Sequence, residues 1–228
     1  MGRGAKATYY FLFLIVLFIT SLILIEVNIL VYAYQKIGIN RRYIFTLLLL
    51  SLLGSYVNIP IYHLPPESVS SGGLVSFFGV PYAIPSVTEW PGTVIAINLG
   101  GAVIPMILSS YLIMKNRLFL PGLVGTAIAA VIIHHLAYPV PGVGIAVPVL
   151  LPAIVALVLA LLLSWKYAPA LAYIVGTLGT LIGADLTNLD KIQGLGAPVA
   201  SIGGAGTFDG IFLSGILAVL LTSLMSNK

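Results

Sequence analysis

Cysteine is absent and charge is scarce. Without cysteine, no disulfide scaffold and no thiolate metal centre can form. Charged residues make up 7% of the 228 positions, where a soluble domain carries about 25%. So few charges cannot cover a water-soluble globule. They also exclude a nucleic-acid-binding module, which needs a dense basic face. Intrinsic disorder is excluded from the other direction, because 60% of the residues are hydrophobic. Acid is scarcer than base, with six Asp and Glu against ten Lys and Arg. What is present instead is a series of long apolar runs, the pattern of a chain that crosses a bilayer many times.

A spanning helix needs about 20 mostly apolar residues, and seven candidates are found. They run from about Thr8 to Tyr34, Tyr43 to His63, Thr93 to Met114, Leu118 to Ala137, Ala146 to Trp165, Ala168 to Asp185, and Thr207 to Met225. The first is too long for a cleavable leader and lacks a small-residue cleavage site. The fold class predicted is all-α, a polytopic helical bundle forming one transmembrane domain over residues 1–228. Residues 64–92 are rich in Pro, Gly and Ser, and Leu74–Ile84 reads as a short interfacial hairpin or re-entrant segment. No clean internal repeat is visible.

The basic residues orient this partition. Lys36, Arg41, Arg42, Lys115, Arg117, Lys166 and Lys228 fall on one side of seven spans, and Arg3, Lys6 and Lys191 on the other. The positive-inside rule then predicts a cell-membrane protein with its N-terminus outside and its C-terminus in the cytoplasm.

Ionisable residues inside spans cost at least ~2.5–3.5 kcal/mol each, so they are candidates for function. They are Glu26, His63, His134, His135, Asp185 and Asp209, with Asn28, Asn58 and Asn98 as buried amides. Asp185 ends the sixth span and Asp209 begins the seventh, with a glycine-rich loop between. Consecutive antiparallel helices bring both carboxylates to one end at similar depth. Two such groups share one proton, which is what aspartyl-protease chemistry requires: one activates a water, the other polarises the peptide carbonyl. Asp209 is equally well placed to cap a helix start. His134 and His135 point about 100° apart on a helix, so one of them can relay a proton to a carboxylate. No H-E-x-x-H motif is present, and neither metal nor cofactor is expected. Gly176, Gly179 and Gly183 line one side of the sixth span, for close packing or for a partly unwound helix. Asn98-Leu99-Gly100-Gly101, with Pro105 following, suggests a broken third span.

Two resemblances add to this reading. Gly203-Gly204-Ala205-Gly206-Thr207-Phe208-Asp209-Gly210-Ile211-Phe212-Leu213-Ser214 resembles the GxGD signature of the presenilin and signal-peptide-peptidase group of intramembrane aspartyl proteases. The resemblance implies Asp185 and Asp209 as catalytic pair, supported by Gly204, Gly206 and Thr207. Here Gly204-x-Gly206 stands two residues further from the aspartate than in that signature. Pro169-Ala170-Leu171 precedes both aspartates, whereas the group's Pro-Ala-Leu follows them. The segments Gly92–Gly101, Pro139–Ala146 and Gly176–Asp185 onward to Phe212 are similar to a prokaryotic membrane family known as domain of unknown function 1614. That similarity covers residues 55–225 and implies a multi-pass fold without an activity.

The expectation is therefore an intramembrane aspartyl protease-like protein. Catalysis would fall to Asp185 and Asp209, with His134, His135, Asn98, Gly204, Gly206 and Thr207 in support. Its partners would be the bilayer and a transmembrane peptide, with no nucleic acid and the oligomeric state open. The alternative is a proton- or cation-coupled transporter or channel using the same carboxylates. A third reading is an accessory membrane protein without a site.

Overall fold

The structure, a computed structural model, describes residues 3–66, 73–77, 80–84, 91–142, 144–148, 150–204 and 210–226. Seven α-helices dominate it: α1 (Arg3–Lys36), α2 (Arg41–Gly54), α3 (Ile104–Asn116), α4 (Phe119–Leu136), α5 (Leu150–Leu163), α6 (Ala168–Thr180) and α7 (Gly210–Ser226). Four helical stretches are long and apolar enough to cross a membrane: Leu14–Lys36, Leu99–Asn116, Phe119–Leu136 and Trp165–Lys191. The apolar α5 and α7 are shorter.

The helices form around α6. From Ala168 to Thr180 nearly every residue is buried, and α6 touches α3, α4, α5 and α7. Its Ala and Gly positions explain this, because small side chains let neighbouring backbones close in. A Cβ on Gly176 would stand 2.9 Å from the Ser214 carbonyl oxygen of α7, and one on Gly179 would stand 2.7 Å from the Ala129 Cβ of α4. At Gly183 a Cβ would overlap the Ala130 carbonyl. Gly183→Ala is therefore expected to cost about 1–3 kcal/mol by overpacking. Gly210→Ala, with nothing near its added Cβ, should be neutral or slightly stabilising. Thermal melts of the two purified variants in one detergent check the contrast.

An all-α bundle of seven spans is not what the described residues form, since seven short strands accompany the helices. β1 (Asn58–His63) replaces the last six residues of the second predicted span, and β4 (Val94–Asn98) the start of the third. β5 (Tyr138–Val140) and β6 (Gly144–Ala146) pair before α5. β2 (Gly73–Phe77) and β3 (Val80–Ile84) pair antiparallel where a hairpin was expected. β7 (Val199–Ile202) emerges from the glycine-rich loop. Apolar runs of five or six residues read alike as buried strand or as helix segment, and the Pro60 of β1 is compatible with an edge strand but not with a helix interior.

β1, β4 and β7 make one sheet, β4 in the middle. β1 runs antiparallel to β4, with Asn58 opposite Asn98. β7 runs parallel to it, Val94 to Ile97 facing Val199 to Ile202 in unbroken register. A parallel pair requires both strands to leave the sheet in the same direction, and each does so through a glycine pair.

The other end of the molecule gathers positive charge. The Lys115 Nζ donates to the Gly38 carbonyl at 2.5 Å, so the α1–α2 and α3–α4 turns share an end. Gly125 near the start of α4 lies against Leu163 at the end of α5, which brings the α5–α6 turn there as well. Lys36, Arg41, Arg42, Lys115, Arg117 and Lys166 all belong to these turns. α1 joins the bundle only from Leu30 onward, through Ala33, Tyr34 and Ile37. Its stretch from Leu14 to Ile29, Glu26 included, is exposed.

Candidate functional site

The site is built where β4 and β7 end. After β4 the chain makes a π-helical turn, Leu99–Val103, before α3 begins. A second π-helical turn, Leu181–Asp185, extends α6. Such turns are rare and concentrate at functional positions. The two meet at one residue, Gly203. A Cβ on Gly101 would overlap the Gly203 carbonyl oxygen, and one on Gly203 would come within 2.6 Å of the Ala102 Cβ. Gly203 also has φ +88°, in the left-handed region that glycine adopts freely. On its amide side, the Gly203 N–H donates to Asp185 Oδ2 at 2.8 Å. The turn after β7 is thus clamped between Gly101 and the half-buried Asp185.

Asn98 organises the same corner. It is fully buried, and its Oδ1 accepts from the Gly101 N–H at 2.7 Å, capping the π-helical turn. That bond fixes the amide orientation, so its Nδ2 faces the Ser55 carbonyl at 2.7 Å and Asn58 Oδ1 at 3.0 Å. Asn58 Oδ1 accepts also from Ser201 Oγ at 2.6 Å, and the same hydroxyl lies 2.6 Å from the Gly204 carbonyl. One hydroxyl proton serves one of those acceptors at a time. A continuous polar path therefore runs from the end of α2 to Gly204. Of the three amides expected to be buried, only Asn98 is; Asn28 and Asn58 are exposed.

Past Asp185 the chain tightens into a 3-10 helix, Leu186–Lys191. Its side chains repair the helix exit. Thr187 Oγ1 donates to the Gly183 carbonyl at 2.9 Å, and the fully buried Asn188 donates to the Gly183 and Ala184 carbonyls at 2.9 Å. Lys191 Nζ donates to Asn188 Oδ1 at 2.6 Å. His134 Nδ1 lies 2.9 Å from Thr187 Oγ1. With that hydroxyl donating to Gly183, the imidazole donates from Nδ1. The His135 ring meets that of His134 edge-on at 5.4 Å and is itself exposed. His63 ends β1, exposed, opposite Val94.

The structure thus joins Asp185 to the Gly203–Gly204 turn, gives Asn98 the caps beside it, and ties His134 to the segment that leaves Asp185. Gly206, Thr207 and Asp209 lie outside the described residues. On either side of them, Thr180 Oγ1 and Ser214 Oγ are 2.9 Å apart, so the end of α6 meets the start of α7 and the two helices run antiparallel. Asn188, Ser201, Thr180 and Ser214 were missed by the sequence reading. Asn188 had a signal, an amide three residues after the aspartate that ends an apolar run. The hydroxyls had none, since Ser and Thr satisfy themselves on their own helix anywhere in a span.

A family model described as Protein of unknown function (DUF1614) matches residues 52–221. Comparison with curated proteins and with solved structures gives no match.

Proposed function

The chain belongs to the DUF1614 family, and we propose that it is an intramembrane aspartyl protease-like hydrolase using Asp185 and Asp209. One observation carries the reading: the bond from the Gly203 N–H to Asp185. It holds the first carboxylate on the turn from which the chain reaches Asp209 six residues later. The antiparallel contact of Thr180 with Ser214 supports it, each lying five residues from its aspartate.

In this mechanism the pair starts with one proton. The ionised carboxylate takes a proton from water as the oxygen adds to the scissile carbonyl carbon, and the protonated partner gives its proton to the carbonyl oxygen. When the C–N bond breaks, the leaving nitrogen takes a proton from the first carboxyl and the second recovers one from the diol, restoring the pair. An extended peptide would be aligned by β7, whose outer edge is open among the described residues, through backbone pairing.

The test is cleavage of a helical membrane substrate in vesicles. Asp185→Asn and Asp209→Asn should each abolish cleavage in folded protein, and full cleavage by either variant would refute the pairing. The second reading, proton- or cation-coupled transport, is favoured by the two π-helical interruptions, since broken helices commonly frame ion sites. Flux into liposomes that follows pH and vanishes in Asp209→Asn, with no peptide cleaved, would decide for it.

A further inference from the structure

A groove between α2 and α3 has no part in this chemistry. It encloses about 600 Å³, within the range of ligand-binding pockets. Leu47 and Leu50 of α2 and Ile104 and Ile107 of α3 form its apolar length, and Asn40 and Lys115 stand at one end. From Ile104 to Lys115 the helix rises eleven steps, about 16 Å at 1.5 Å per residue. That is roughly half the ~30 Å hydrocarbon thickness, the depth of one leaflet.

The polar end of the groove coincides with the basic end of the molecule. The turns there contribute six Lys and Arg and no Asp or Glu. Lys115 is pinned at the mouth by its bond to Gly38, which engages one of its three N–H donors. The cations also sit on tyrosine rings: Lys36 over Tyr32, Arg42 over Tyr43, Lys115 over Tyr111 and Lys166 over Tyr167, at 5.2–5.5 Å. Tyr43 and Tyr111 line the groove themselves. Tyrosine and cation together are the composition of a headgroup-level belt.

We propose that this groove holds one acyl chain of an anionic phospholipid, with its phosphate at Lys115 and Arg42. Charge chooses the headgroup, because the cations have no acidic residue in their own turns. Length chooses the lipid over free phosphate, because the apolar walls continue for a full leaflet below the charge.

Native mass spectrometry of the full chain released from detergent tests this, with phosphatidylglycerol and phosphatidylcholine of identical acyl chains as probes. One phosphatidylglycerol should be retained per chain, preferred by about tenfold or more, since each basic residue near an anionic headgroup contributes about 1 kcal/mol. Arg41→Gln with Arg42→Gln should remove most of that preference. Leu50→Trp or Ile107→Trp should remove retention of the lipid itself. Both positions are more than half exposed, at 51% and 64%, so the added bulk enters the groove rather than the core, and the melting temperature reports on folding. Millimolar inorganic phosphate should not displace the lipid. Equal retention of the two lipids, retention unchanged in both tryptophan variants, displacement by phosphate, or a dimer that the tryptophans dissociate would each overturn the proposal.

Discussion

Asp185→Asn is expected to end peptide hydrolysis, by on the order of 10³-fold or more, while leaving the melting temperature almost unmoved. The asparagine Oδ1 can still accept the Gly203 N–H that Asp185 accepts at 2.8 Å, so the turn after β7 stays in place. What is lost is the ability to take and return a proton. Asp185→Ala should lose the same activity and stability as well. It leaves the Gly203 N–H without its acceptor in a half-buried site, at about 1–3 kcal/mol, which for a chain of this size is several degrees. The pair separates chemistry from tethering. An asparagine variant that cleaves normally would refute the catalytic role, and an alanine variant that melts like the parent would refute the tether.

Asn98→Leu should produce the largest loss of stability of any single change near the sheet, about 3–5 kcal/mol. The shape is nearly kept, yet three partners are abandoned: the Gly101 N–H, the Ser55 carbonyl and Asn58 Oδ1. Asn58 retains Ser201, but the other two are left to a fully buried corner. Asn98→Asp should rescue little. It restores the acceptor for Gly101, but turns an oxygen toward the two acceptors that Nδ2 now serves. Unfolding of the purified variants, followed by loss of helical signal, measures both; an aspartate variant as stable as the parent would mean that Nδ2 contributes nothing.

The helical part of this fold was legible because hydrophobic runs in α1, α3, α4 and α6 exceed what any strand needs. Of the strands, only the β2–β3 hairpin was, at the segment 74–84 flanked by Gly, Pro and Ser. Val94–Asn98 is as apolar as the helix that follows it, and what makes β1 and β4 strands is pairing with residues 31 to 105 positions away, which no local period records. The same holds within the site. Asp185 and Asn98 stood out as polar residues in apolar runs, and both sit at the glycine corner. The role of Gly203 was hidden, because a glycine's meaning lies in the backbone it approaches. His134 stood out as well, and what it touches, Thr187, is a residue type that carries no signal in a span.

α2 has 14 residues, about 21 Å of helix, and it gives way to a strand that is exposed at every position. Starting from the basic end, it stops short of the far face of a ~30 Å hydrocarbon layer. A sheet margin with unpaired peptide groups cannot rest against dry acyl chains, where each such group costs several kcal/mol. The outer edge of β1, on the side of the sheet away from β7, is therefore the margin that calls for water or another polar partner rather than for lipid.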